Sequence, residues 1–199
     1  YVRFYQASGN VSDETMQDLW AKLLAGEVSK PSTYSFKTID VLRNLSKKDA
    51  ELFQRVCSYS FCNANQIPIL PRYDDYLEKY NIAYSDILKL SEQGLIFNDG
   101  TIGQSVNITE ESKILFWDTE TVMTIKSSDG KDTKAYIHEY PFTQVGAEIS
   151  TLVSVNVSDE KYIEFATQIS NKNKNYLLGV YKVIELNETS IRHNANNLL

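Results

Sequence analysis

The chain has little of what most enzymes use for chemistry. Its 199 residues include two cysteines and two histidines. Cys57 and Cys62 are too few for a disulfide scaffold and read as buried thiols of a reducing cytosol; a local bridge would require Cys62 to lie past the end of the helix that carries Cys57. No Cys/His group has metal-ligand spacing, and nothing matches a P-loop, a dinucleotide fingerprint or an EF-hand loop. Positive charge is scarce as well. Twenty Lys and Arg face 26 Asp and Glu, for a net charge of −6. That leaves no domain-wide basic footprint for nucleic acid. No apolar run nears the ~20 residues that span a bilayer, and no secretory signal is recognisable. The opening residue is Tyr1 rather than Met, so the chain reads as an excised piece of a larger protein.

What is present is apolar, aromatic and well punctuated. Hydrophobic residues make up 42%, with thirteen Tyr and eight Phe, enough for a packed core. The first ten residues read as the end of a helix. Ser12 then caps a new one, with Met16, Leu19, Trp20, Leu23 and Leu24 on one stripe and Gly26 at the expected C-cap. Phe36, Ile39 and Leu42 mark a second helix ending near Asn44. Ser46, with Asp49 three residues on, opens a third that buries Ala50, Phe53, Val56 and Cys57. Ile67 to Pro71 reads as an apolar, proline-flanked link before a short helix over 73–80. Ser85 opens the next helix, and Gly94-Leu95 forms a Schellman stop.

The period then changes from helical to alternating. Strands are predicted over 105–108, 113–117, 121–126 and 134–140, with Ser128-Asp129-Gly130 as a hairpin turn. Thr143 and Ser158 cap two later helices, Gly146 suggests close backbone packing, and 176–186 reads as a final strand. The expected fold is α+β. An N-terminal helical bundle (1–66) joins a winged-helix-like module (67–186), which has a small antiparallel sheet and a C-terminal helix and strand. A tail follows over 187–199. In that reading 85–93 is a recognition helix and the 121–140 hairpin is the wing.

Several stretches resemble a known family. Val11 to Glu27 (VSDETMQDLWAKLLAGE) is the most distinctive, followed by Ser35 to Leu42 with Leu45 to Ala50, Leu90 to Ile96 and Pro141 to Ile149. Together they resemble an uncharacterised bacterial family of the domain of unknown function 2806 type. A looser similarity reaches the alpha-type abortive-infection proteins of bacteria. The resemblance carries over no reaction. It implies a bacterial setting, and the looser relatives imply phage defence.

The side chains that could do chemistry read as structural. His138 lies in a strand pattern and His193 in the tail, with no nucleophile elbow to serve. Asp74, Asp75 and Glu78 read as an exposed helix face. Glu110, Glu111, Asp118 and Glu120 are close in sequence, which does not make them converge in space. No catalytic residue, cofactor or metal is assigned, and the chain is not read as an enzyme. The expected function is a non-enzymatic interaction or assembly module of a larger bacterial cytosolic protein, binding a protein partner or a second copy. The alternative is a winged-helix nucleic-acid-binding regulator. It would use Lys126, Lys131 and Lys134 on the wing, although the recognition helix, with Asp86, Lys89 and Glu92, is acidic.

Overall fold

The computed structural model describes residues 14–63, 66–155, 158–187 and 190–199. The Ser12 cap and the helix end expected over the first ten residues lie outside them. In chain order the elements are α1 (Glu14–Ser29), α2 (Phe36–Asn44), α3 (Lys47–Ser58), β1 (Phe61–Cys62), β2 (Pro68–Pro71), α4 (Asp74–Lys79), α5 (Tyr84–Glu92), β3 (Gly103–Ile108), β4 (Lys113–Trp117), β5 (Thr121–Ser127), β6 (Thr133–Pro141), α6 (Gln144–Ser150), α7 (Asp159–Lys172), β7 (Tyr176–Leu186) and β8 (Ile191–His193). They form two compact units. One comprises Tyr1–Ser58, Tyr84–Asn98 and Phe142–Val155; the other comprises Tyr59–Ala83, Asp99–Pro141 and Asn156–Leu199.

The first unit is helical. α1 buries Met16, Leu19, Trp20 and Leu23, the expected stripe. It does not stop at Gly26. It runs on to Ser29, and the glycine makes room for a ring instead: a Cβ there would sit 2.8 Å from a ring carbon of Tyr34. Glu27 organises the turn that follows, its carboxylate accepting from the backbone N–H of Ser32 (3.0 Å) and Tyr34 (2.7 Å). Ser35 caps α2 by accepting from the Thr38 N–H. Glu148 of α6 reaches the same helix start, accepting from Ser35 N (2.8 Å) and Thr38 Oγ1 (2.5 Å). Burial pushes the Glu148 carboxyl up, but the bonds from Thr38, Ser35 and Gln144 outweigh it and hold the group below its ordinary value. In α3 the Ser46 hydroxyl donates to Asp49 Oδ2 and accepts the Asp49 N–H, and Ala50, Phe53, Val56 and Cys57 are buried as expected.

The Schellman stop after α5 is present. Gly94 has φ +72°, and Leu95 N–H donates to Leu90 O at 2.9 Å. Thr143 binds the same corner. Its hydroxyl donates to Gly94 O (2.6 Å) and accepts the Gly146 N–H (3.0 Å), so one side chain closes α5 and caps α6. Gly146 passes so close to Leu95 that a Cβ would lie 1.9 Å from the Leu95 carbonyl oxygen.

The second unit overturns the expected fold class. In place of a helical bundle joined to a winged-helix-like module with a small sheet, it builds one eight-stranded antiparallel sheet in the order β3-β6-β2-β1-β4-β5-β7-β8. The sheet curls, so that the Tyr176 hydroxyl at the start of β7 donates to Lys134 O on β6. The predicted wing does not form. β5 pairs with β4 and β7, whereas β6 pairs with β2 and β3. Ser128-Asp129-Gly130 therefore joins strands that part company. The physical reason is that both edges of β5, a nearly all-buried inner strand, are taken, by β4 and by β7, which leaves none for β6. The link over 67–71 supplies one missing strand, β2, whose prolines stand at its two ends. Residues 191–193, read as part of a tail, pair with β7 as β8.

α7 lies on the sheet and carries its core. Ser158 caps it through the Glu160 N–H. Phe165 packs 5.1 Å from Phe61, 5.5 Å from Tyr73 and Phe116, and 5.7 Å from Tyr76, centroid to centroid. Tyr73, Tyr76 and Tyr80 are buried, as their helical spacing suggests. Truncating a ring at the centre of such a cluster costs about 3–5 kcal/mol.

Candidate functional site

Two features have no structural task that explains them. The first is on the helical unit. Tyr84 and Leu88, one turn apart on α5, are 60% and 41% exposed, and Phe97 is 49% exposed. Asn98 donates to the Tyr84 hydroxyl (3.3 Å), which brings the segment bearing Phe97 alongside. The charges flanking this surface are already matched, Asp86 with Arg55 and Lys89 with Asp49, each at 3.6 Å. Glu92, a further turn along the stripe, closes its far end.

The second is a polar cluster where β2 runs out beside β6. Arg72 continues the ladder by donating its N–H to His138 O, and its Nη2 lies 3.0 Å from His138 Nδ1. A guanidinium can only donate, so Nδ1 must accept and the proton sits on Nε2. Burial, reinforced by the charges of Arg72 and Lys172, pushes His138 below its ordinary value and keeps it neutral. Tyr73, next in sequence, stacks edge-on to His138 at 6.3 Å and lies under the Lys172 ammonium at 4.5 Å. Burial pushes the Tyr73 phenol up. Arg72 Nε is buried with no hydrogen-bond partner. Among the described residues, neither Arg72 nor Lys172 has a carboxylate at ion-pairing distance.

Glu139, one residue on from His138, points to the opposite face of β6. It is 5% exposed, and its Oε2 has no hydrogen-bond partner. Burial alone lifts its carboxyl from an ordinary 4.5 to about 7. Gln104 Oε1 on β3 is likewise buried without a partner. Sequence reasoning passed over Arg72 and Glu139. The signal for Glu139 was its phase: it follows Ala135 and Ile137 at alternate positions of a strand, where the pattern wants an apolar side chain.

The residues singled out from the sequence are scattered. Lys126 is exposed on β5, Lys131 pairs with Asp129 at 3.6 Å, and Lys134 borders an open cleft of about 450 Å³ with Lys113 and Asp132. Asp118 is a turn former: its Oδ1 accepts the N–H groups of Glu120 and Thr121, both at 2.8 Å. Neither cysteine is in a disulfide. Burial pushes the Cys62 thiol up, against the pull of Lys161, so it is not primed as a thiolate. Among the described residues no group of three or more His, Cys, Asp or Glu could hold a metal ion, and no helix is long and apolar enough to cross a membrane.

No curated protein and no solved structure matches the chain. A family model described as "Protein of unknown function (DUF2806)" matches residues 1–167. The match extends over most of the sequence, including the blocks quoted above, and the chain belongs to the DUF2806 family.

Proposed function

We propose that the chain is a non-enzymatic assembly module of a larger bacterial cytosolic protein, and that it pairs with a second copy of itself through the Tyr84–Leu88–Phe97 surface. The observation that supports this is an apolar surface whose flanking charges already cancel. At a net charge of −6, two copies repel each other over most of their area. A surface flanked by closed ion pairs adds little to that repulsion, and contiguous exposed apolar area marks association sites. An isologous pairing with antiparallel α5 helices puts Leu88 at the two-fold axis and Glu92 of each copy beside Tyr84 of the other. That arrangement keeps the two Glu92 carboxylates apart. The looser resemblance to abortive-infection proteins favours a phage-defence setting.

Sedimentation velocity over a concentration series tests the reading. Wild type is expected to shift from monomer to dimer, with no dependence on added duplex DNA. Leu88→Asp is expected to keep its circular dichroism spectrum and stay monomeric. A wild type that remains monomeric throughout, or a Leu88→Asp variant that pairs as before, overturns the proposal.

A further inference from the structure

We propose that Arg72, His138 and Lys172 form a binding site for a phosphate-class oxyanion, in the sheet unit and separate from the α5 surface. The Arg72–His138 contact fixes the imidazole with its proton on Nε2, so all three side chains present N–H groups and none presents an acceptor. Among the described residues, no carboxylate within ion-pairing distance balances the charges of Arg72 and Lys172. In a chain with more acids than bases this is not forced by composition.

The nearby acids do not fill the role. Asp99 feels Arg72, but its carboxyl is held chiefly by the Thr101 N–H and hydroxyl, at 2.8 and 2.7 Å. Glu139 lies on the other face of β6, and burial raises its carboxyl to about 7, so near neutrality it supplies only part of a charge. The rings packed around the pair, Tyr73 and Tyr136 against His138 and Tyr140 against Arg72, bring no carboxylate. A half-buried guanidinium gains most from an acceptor with several oxygens, because charge-assisted bonds are the strongest available to it. Lys172 can follow the ligand, since its exposed stem is flexible, whereas Arg72 and His138 are fixed by the β2–β6 ladder.

Inorganic phosphate is the probe, and the His138 ring is the reporter. The two histidines are told apart by a His193→Gln variant. In a ring-nitrogen NMR titration at constant ionic strength, phosphate is expected to move the His138 Nε2 resonance and raise its pKa, with His193 unmoved. Arg72→Met is expected to weaken binding at least about tenfold. Should Arg72→Met fail to fold, Lys172→Met, a change at an exposed side chain, serves in its place and is expected to weaken binding several-fold. A His138 ring indifferent to phosphate overturns the site, as does wild-type affinity in either folded variant. Dimerisation measured on the same samples keeps this result independent of the α5 surface.

Discussion

Glu139 shows how one side chain can be tolerated at a cost that pH reveals. The unfolded chain ionises it near 4.5, the folded chain near 7. Below 4.5 both states hold the proton and burial costs nothing. Between those values only the unfolded state releases it, so stability falls as pH rises, and above 7 the loss levels off at about 3 kcal/mol at most. Glu139→Gln is therefore expected to match wild type near about pH 4 and to be more stable by about 1–3 kcal/mol above neutrality. Urea denaturation across pH measures this directly, and equal midpoints above neutrality would refute it. At this scale the sequence was readable mainly where a side chain acts on its own neighbours. Ser46, Thr143 and Ser158 cap as read, because a cap and its N–H lie within one turn, whereas Ser85, read as a cap, lies inside α5, which already begins at Tyr84. Arg72 was not readable, because its partner His138 is 66 residues away and nothing local announces it.

At the scale of elements, the α5–α6 corner is the tightest joint described. Gly94, Leu95, Thr143 and Gly146 interlock, and the Leu95 carbonyl occupies the space a side chain at 146 would need. Because a carbonyl cannot swing aside like a flexible side chain, Gly146→Ala is expected to destabilise the protein by several kcal/mol, beyond the usual range for overpacking of about 1–3 kcal/mol. Gly94→Ala meets open space and only a strained φ, so it should cost about 1 kcal/mol. Thermal melts of the two variants check the ranking, and a Gly146→Ala protein as stable as Gly94→Ala would contradict it. Helix and strand positions were legible here because periods of 3.6 and 2 are local. β2 was not, since Pro68 and Pro71 make a four-residue strand look like a connector. They are accommodated at its ends, where a missing N–H disturbs the ladder least.

At the scale of the molecule, the partners of each strand decide the fold, and pairing is the part that the pattern leaves open. Turn chemistry at Ser128-Asp129-Gly130 argues for a hairpin, yet β5 pairs with β7 over seven positions, from Thr121–Lys182 to Ser127–Tyr176. The loop after β5 is a real turn that joins the wrong neighbours. The family match ends at residue 167, nine residues before β7 begins. A fragment cut there strips β7 from β5 and bares the N–H and C=O groups along one side of a nearly all-buried strand. It is expected to aggregate where the full chain is soluble, and light scattering of the two purified side by side decides the matter.

The same pairing has a consequence for synthesis. A ribosome releases β5 more than 40 residues before the strand that covers it, and the helical unit waits for α6 to close its corner at Leu95. Both units therefore stay unfinished until residues beyond 142 emerge, and until Tyr176–Leu186 follows one side of β5 has no strand to cover it.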